Sequence, residues 1–350
     1  MKTYSINTCL LTIRCLVLLT VLFGPFNTMA QQASAFQAGH YYPGLINTRD
    51  MAQPPSSGLF ILWYNVYASS SAYYDQNGDK FDGISLSDLH PVLPDINAST
   101  KLNGFGSAPV FAWASSKIKS LGDARYIVGI APNYVSADVS LFTEGTGNVL
   151  EDPLSNEANA KVSGFGDFIF IPFGLSWGGQ KMDFTTAYTI YAPTGRYTTG
   201  AADNIGLGFW THQFQGFGYY YPVEDKSSAI MLGLTFETNS KIKDSDVRPG
   251  SRFTLEYGLS QFFSENLEVG IAGAHNLQVS EDTGEDVFWN TANLDRKSSL
   301  FFNVGYWPLP QRLNINFKYG FDYGLRQRFK NNMFVLNLLF NPNLLVSKNE

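Results

Sequence analysis

Cysteine is almost absent from the sequence, and its two copies, Cys9 and Cys15, both lie among the first 30 residues. Residues 31–350 therefore cannot form disulfides, zinc–thiolate sites or cysteine nucleophiles. Long apolar runs are also lacking, because no stretch beyond residue 30 approaches the roughly 18 consecutive apolar residues of a membrane-spanning helix. Such a chain can cross a membrane only as a closed β-barrel, the other structure that satisfies every backbone polar group in lipid.

Charged residues are scarce as well. They make up 15% of the sequence, compared with the roughly 25% typical of soluble globular domains. The balance is acidic, since 30 Asp and Glu residues outnumber 24 Lys and Arg residues and give a formal net charge of −6. This balance argues against a nucleic-acid partner. No Pro/Ser-rich linker or charge run divides the chain after residue 30, which indicates a single domain.

The first 30 residues have the pattern of a secretory signal. Lys2 and Arg14 supply the positive region, Cys15–Phe23 is a short apolar core, and Thr28-Met29-Ala30 is a small-residue cleavage site. We therefore expect a signal peptide over residues 1–30 and a mature chain that begins at Gln31.

Period-2 alternation between turn residues predicts twelve strands in the remainder of the chain. They cover Leu59–Tyr74, Ala108–Lys119, Ala124–Val139, Gly166–Trp177, Met182–Ala192, Asn204–Tyr221, Ala229–Asn239, Arg252–Phe263, Asn266–Val279, Ser298–Trp307, Arg312–Leu325 and Asn332–Phe340. Tight turns alternate with connections that are mostly longer, such as Asp75–Ser107. An even strand number with this alternation is typical of bacterial outer-membrane barrels. We predict an all-β fold, an antiparallel transmembrane β-barrel of about 12 strands over residues 58–341, in the Gram-negative outer membrane.

The same alternation predicts which face of each strand meets lipid. Near the carboxyl end, Ile315 and Phe317 should point outward, while Asn316 and Lys318 should point into the lumen. A water-soluble antiparallel sheet with one wet face would give the same alternation. Large aromatic residues near both strand ends favour the membrane barrel, because they match its two interfacial girdles. Examples are Tyr73, Trp177, Tyr219, Phe263 and Trp307.

Short motifs in a fixed order give the chain a family resemblance. They are Gly39-His40-Tyr41-Tyr42-Pro43-Gly44, Gly164-Phe165-Gly166-Asp167, Pro193-Thr194-Gly195-Arg196-Tyr197, Pro249-Gly250 and Tyr257-Gly258-Leu259. In order and spacing they resemble the outer-membrane proteins named after the meta-pathway of phenol degradation. The resemblance implies a channel that admits small hydrophobic or aromatic compounds by passive diffusion. The chain departs from the family pattern after Phe340, the closing aromatic, because a carboxyl-terminal extension over residues 342–350 follows the barrel. The extension follows the carboxyl-terminal aromatic residue by which the barrel-assembly machinery would recognise the chain.

Eight side chains that the predicted register turns inward are candidates for lining a permeation path or binding a ligand. They are Trp210, His212, Glu256, Glu268, Phe301, Trp307, Lys318 and Asp322. The charged members could instead form a salt-bridge network that fills a narrow barrel. The aromatic members could form a slot for an apolar solute, and ordinary lumen packing is the alternative.

Residues 31–57 precede the first strand and do not have a strand pattern. They contain three prolines and an apolar set that suits a compact irregular segment. Tyr41, Tyr42, Pro43 and Gly44 would belong to a plug in the lumen, as in barrels related by the resemblance. A disordered periplasmic leader is the alternative.

A channel is the first functional hypothesis, a structural or adhesive barrel the second, and an outer-membrane lipid hydrolase the third. No catalytic residue, metal ligand or cofactor is predicted. His212 and His275 have no serine two residues along the strand, although a cross-strand partner stays open. Asp75-x-Asn77-x-Asp79 departs from a calcium loop and suits a turn better. The expected partners are outer-membrane lipid, a small hydrophobic or aromatic solute and the barrel-assembly machinery.

Overall fold

The computed structural model describes residues 39–84, 95–146, 156–201 and 203–343. The predicted signal peptide, the start of the mature chain at Gln31 and most of the carboxyl-terminal extension lie outside these ranges. Within them, no helix is both long and apolar enough to cross a membrane.

The residues that the structure describes form sixteen β-strands. They are β1 (Gly58–Tyr74), β2 (Lys80–Phe81), β3 (Gly83–Ile84), β4 (Asp95–Ala114), β5 (Arg125–Ala131), β6 (Tyr134–Thr146), β7 (Asn156–Phe165), β8 (Phe168–Gly178), β9 (Met182–Ala192), β10 (Thr211–Tyr220), β11 (Ser228–Asn239), β12 (Arg252–Phe262), β13 (Leu267–Gln278), β14 (Arg296–Leu309), β15 (Leu313–Arg326) and β16 (Arg328–Phe340). A 3-10 turn, Lys119–Leu121, lies between β4 and β5.

The strands form one closed antiparallel barrel. β1 pairs with both β16 and β4, so the sheet has no free edge at this seam. β5 and β6 both pair with β4 and together act as one strand of the barrel wall, interrupted at residues 132–133. β7 and β8 pair with β6 and β5 and form the next strand of the wall in the same way, interrupted at residues 166–167. With β1, β4 and β9–β16, these two interrupted strands give twelve wall strands. The prediction of a 12-stranded antiparallel barrel is confirmed.

Burial confirms the faces predicted near the carboxyl end of the chain. In β15, Asn316 and Lys318 are buried in the interior, whereas Phe317 is 62% exposed on the outside. The same alternation runs through β12, where Glu256 is buried and Leu259 is exposed. Because successive strand residues point to opposite sides, these two strands present an apolar outer face and a polar inner face without any long apolar run.

Several strand boundaries differ from the predicted ones. β4 begins at Asp95 instead of Ala108, and β6 continues to Thr146, because Asp95 to Ser107 pair with Thr146 to Tyr134 through the backbone. This pairing does not need apolar side chains, so hydrophobic periodicity did not reveal it. β10 begins at Thr211 instead of Asn204.

The connections distinguish the two ends of the barrel. Residues 179–181, 263–266 and 310–312 are short turns at the end where β1 begins and β16 ends, here called the short-turn end. Residues 193–210, 240–251 and 279–295 lie at the opposite end, here called the long-loop end. Gln327 alone joins β15 and β16 at that end, with a φ of 50°.

Residues 39–57, here called the N-terminal segment, lie inside the barrel. His40 contacts Thr211, the first residue of β10, at the long-loop end. Gln53 donates a hydrogen bond to the carbonyl oxygen of Ser176 (2.9 Å), two residues before β8 ends at the short-turn end. The segment therefore runs down the lumen and leads directly into β1.

Candidate functional site

The upper part of the N-terminal segment is held by polar groups at the long-loop end. His40 Nε2 lies 2.9 Å from Asp167 Oδ2, and His40 Nδ1 lies 2.7 Å from Thr211 Oγ1. The imidazole also stacks on Tyr191, with ring centroids 4.9 Å apart. Asp167 additionally accepts the backbone N–H of Leu207 (2.7 Å), so one carboxylate joins the segment to the loop over residues 193–210.

A carboxylate and an ammonium group hold the middle of the segment. Glu256 accepts hydrogen bonds from the Tyr41 hydroxyl (2.5 Å) and from the Gly44 N–H (2.7 Å). Lys318 Nζ donates to the carbonyl oxygens of Gly44 (2.6 Å) and Ile46 (2.7 Å). These bonds satisfy backbone groups of an irregular segment that has no sheet partner, as buried backbone groups require.

Gly44 is required by this packing. Its φ of 77° lies in the left-handed region, and a Cβ there would overlap the ring of Phe301. Phe301 is completely buried and packs with Met333 and Ala272, against which Tyr42 also packs. The predicted aromatic lumen residue Phe301 thus supports the segment.

An arginine holds the lower part. Arg49 Nε donates to Glu268 Oε1 (2.7 Å) and to Ser260 Oγ (2.9 Å), and the guanidinium lies over the Phe262 ring at 4.8 Å. The other guanidinium nitrogens donate to the carbonyl oxygens of Lys226 and Ser227. Each of the three guanidinium nitrogens therefore has an acceptor, as a largely buried guanidinium requires.

A second charge network fills the interior at the long-loop end. Asp295, which is fully buried, accepts hydrogen bonds from Arg252 Nη1 (2.9 Å) and Arg328 Nε (2.7 Å). Asn276 Oδ1 lies 2.9 Å from Arg328 Nη2 and completes the cluster. Beside it, burial raises the pKa of Asp282 in the loop over residues 279–295, although the Gly250 N–H hydrogen-bonds to its carboxylate.

A cavity of about 1290 Å³ lies beside the N-terminal segment. The side of the cavity away from the segment is formed by β1, β4, β5 and β8. Their side chains that point into the barrel are predominantly apolar: Phe60, Leu62, Val66, Val110, Ala112, Ile127, Ile169 and Ile171. Ile205 and Leu207 line it at the long-loop end, and Lys117, Gln180 and Gln311 line it at the short-turn end. The cavity therefore reaches both ends of the barrel.

Six of the eight predicted lumen residues lie inside the barrel. Glu256, Glu268, Phe301 and Lys318 contact the N-terminal segment, as described above. Trp307 lines the cavity near the short-turn end, and Asp322 accepts a hydrogen bond from the Ser299 hydroxyl (2.6 Å). The charged residues are brought together, but they form paired networks around the segment.

The inward assignment of Trp210 and His212 was wrong. Thr211 and Gln213 are the buried, inward residues of β10, while Trp210 is 47% exposed on the outer side. His212 Nδ1 lies 2.6 Å from the hydroxyl of Tyr188, a residue of the neighbouring strand β9. Both faces of β10 mix polar and aromatic residues, so local alternation does not distinguish them. Which face of β10 points inward is decided by its pairing with the neighbouring strands β9 and β11.

Another histidine on the outer surface has a cross-strand serine. His275 Nδ1 lies 2.7 Å from Ser298 Oγ, and its Nε2 lies 3.3 Å from the Tyr257 hydroxyl. Ser298 belongs to β14, so the pair could not be found by looking two residues along β13. The partner on the second nitrogen is a tyrosine, where a hydrolytic triad has a carboxylate.

Sequence reasoning did not name as site candidates three residues of the segment that make polar contacts with the barrel. His40, Arg49 and Asp50 were not singled out, and neither was the apolar wall of the cavity. Asp50 accepts a hydrogen bond from the Tyr64 hydroxyl of β1 (2.8 Å). Charged residues in an otherwise apolar, proline-containing segment were the available signal, because such charges need buried partners if the segment enters a barrel.

A family model described as "Putative MetA-pathway of phenol degradation" matches residues 64–338. The chain belongs to this family. The resemblance inferred from the short motifs is thereby confirmed. The match covers all the wall strands from β1 to β16, apart from the first residues of β1 and the last of β16. No curated protein matches the sequence of this family member.

Solved structures resemble this family member in fold. The COG4313 outer membrane channel from Pseudomonas putida F1 has a TM-score of 0.62 and 13% identity, with 84% of this chain and 99% of that chain covered. A Pseudomonas aeruginosa FadL homologue has a TM-score of 0.41 and 11% identity, with coverage of 89% and 97%. The first match shows a shared barrel fold, and the second is too low to support any inference.

Proposed function

We propose that this protein is an outer-membrane channel through which small, uncharged apolar or aromatic compounds diffuse passively. The family membership and the closed barrel with an apolar, aromatic exterior support this location. The similar Pseudomonas putida protein is itself described as an outer membrane channel.

The apolar cavity carries the proposal. It runs beside the N-terminal segment from one end of the barrel to the other, and its wall residues Phe60, Val110 and Ile127 offer no charge to a solute. The charged residues that line the cavity lie near its ends or on the opposite side. Asp167 lies towards the long loops, and Lys117, Arg125, Asp183, Glu224, Asp225 and Lys226 lie towards the short turns. Arg49, Asp50 and Glu268 are already hydrogen-bonded, Arg49 to Glu268 and Asp50 to Tyr64. An apolar solute loses no hydrogen bonds on entering such a space, whereas an ion would lose its hydration without gaining a partner.

Two dyes with the same aromatic skeleton test this selectivity. N-phenyl-1-naphthylamine is uncharged, and 8-anilinonaphthalene-1-sulfonate carries one sulfonate. In intact Gram-negative cells that express the protein, the fluorescence of the uncharged dye should rise at least several-fold faster than in cells with an empty vector. Entry of the anion should not change. Equal rates for the uncharged dye in both kinds of cell would remove the transport proposal and favour the structural or adhesive barrel.

We further propose that residues 31–57 restrict the lumen as a plug. Deleting Gln31–Ser57 should increase the single-channel conductance in planar bilayers, because residues 39–57 fill the polar half of the interior and their removal admits water and ions. A gel that compares heated and unheated samples would verify that the shortened protein still forms a barrel. A folded deletion variant with the conductance of the full chain would show that the segment is not the restriction.

The hydrolase alternative rests on the His275–Ser298 pair, and we propose that it is not catalytic. The third group is the Tyr257 hydroxyl, which cannot stabilise an imidazolium as a carboxylate does. Purified protein in mixed micelles should therefore release no fatty acid from phospholipid, and Ser298→Ala should leave dye entry unchanged. Release of fatty acid by the unmodified protein, abolished by Ser298→Ala, would establish the hydrolase instead.

A further inference from the structure

The interior of the barrel has two chemically different halves. Polar and charged side chains of β10–β16 bind the N-terminal segment, at Glu237 and Glu256 near its start and at Glu268 and Lys318 further along. The opposite half, formed by β1, β4, β5 and β8, presents the apolar wall of the cavity. The segment is therefore attached mainly to one side, and the free space lies on the other.

Displacing the segment would break charge-assisted contacts at several levels at once. Glu256 would lose the Tyr41 hydroxyl and the Gly44 N–H, Lys318 would lose two carbonyl oxygens, and Glu268 would lose Arg49. Apolar contacts add to this, because Ile46, Met51 and Ala52 pack against a buried cluster of β10 and β11 side chains. Breaking buried charge pairs on one side leaves uncompensated charges, which is strongly unfavourable.

We infer that the N-terminal segment stays in place while solutes pass, and that the route runs between the segment and the apolar wall of β1, β4, β5 and β8. This inference rests on the proposed channel function and specifies its path. The segment is a fixed part of the channel wall, and the apolar wall residues select uncharged solutes. Opening by withdrawal of the segment is the contrasting mechanism.

A reversible disulfide can lock the segment in position. A Cβ at position 258 in β12 would lie 2.9 Å from Thr48 Oγ1, close to the roughly 3 Å between a Cβ and the distal sulfur of a disulfide. Thr48→Cys with Gly258→Cys, in a chain that also carries Cys9→Ser and Cys15→Ser, contains no other cysteine. Entry of N-phenyl-1-naphthylamine into cells should be the same after oxidation and after reduction of this variant, with disulfide formation followed by thiol labelling.

A bulky side chain on the apolar wall tests the path independently. Ala112 lines the cavity, while its neighbour Phe111 points outward and is 39% exposed. Ala112→Trp should reduce dye entry to nearly the level of the empty vector, whereas Phe111→Trp should leave it unchanged. The heated and unheated gel comparison shows that both variants form barrels.

The outcomes separate this inference from the channel proposal. If the unmodified protein admits no dye, the channel proposal itself fails. If the unmodified protein admits the dye but oxidation of the locked variant stops entry and reduction restores it, the segment must move and the inference is overturned. Normal entry in a folded Ala112→Trp variant would also overturn it, whether or not the disulfide forms, because the route would then lie elsewhere.

Discussion

Asp295→Ala is expected to lower the free energy of unfolding by about 3–5 kcal/mol, the usual cost of removing one partner from a buried ionic cluster. Asp295 is completely buried, and its two oxygens accept hydrogen bonds from both Arg252 and Arg328. Removal of the carboxylate would leave two guanidinium groups close together in the interior without the acceptor that they share. Denaturant unfolding of the protein in detergent micelles, followed by tryptophan fluorescence, would measure the change.

Asp203→Ala is the matched control. Asp203 forms an ion pair with Arg196 at 3.1 Å in the loop before β10, but the aspartate side chain is 65% exposed. Exposed pairs contribute only about 0–1 kcal/mol, because water already solvates both charges. Similar losses in the two variants would mean that water reaches Asp295 and that the long-loop end of the lumen is open.

Phe214→Arg should cost about 2–4 kcal/mol, the range for a cation placed on the lipid-facing side at the bilayer midplane. Phe214 lies near the middle of β10 and is 52% exposed on the outer surface, where it stacks with Tyr188. An arginine there would have to bring its charge into hydrocarbon or bend away towards an interface. Equilibrium unfolding from phospholipid vesicles would measure the loss.

Gln215→Arg provides the comparison one residue further along. Gln215 points into the barrel, where its side chain lies 3.5 Å from the Thr235 hydroxyl on the polar side of the interior, so an arginine at this position has polar neighbours and does not enter hydrocarbon. A much smaller loss is expected. The opposite order of the two losses would mean that β10 is shifted by one residue, because such a slip exchanges the two faces of a strand.

The paired charges of the lumen hold the N-terminal segment in a defined position. Glu256 and Lys318 were predicted inward from alternation alone, with either a permeation path or a salt-bridge network as their role. In the structure they bind backbone groups of the N-terminal segment, so their polarity serves an irregular chain that lacks sheet partners. The uncharged wall of the cavity then remains as the surface that a solute would meet.

The sequence by itself determined the barrel, the number of its wall strands and the faces of strands such as β12 and β15. These properties are local, because side chains alternate with period 2 and turn residues end each strand within a few positions. Alternation is decisive where one face is purely apolar, as with Ile315 and Phe317. It fails where both faces are mixed, which is why Trp210 and His212 were assigned to the wrong side.

Only the tertiary structure decided what occupies the lumen. The contacts that hold the N-terminal segment join residues far apart in sequence, such as Tyr41 with Glu256 and Gly44 with Lys318. No local pattern encodes such pairs. The extension of β4 to Asp95 was likewise decided by a partner strand, since backbone pairing can order residues whose side chains have no apolar period. The open, apolar side of the interior follows from the same cause, because the segment binds where the buried charges can be paired and leaves the uncharged wall free.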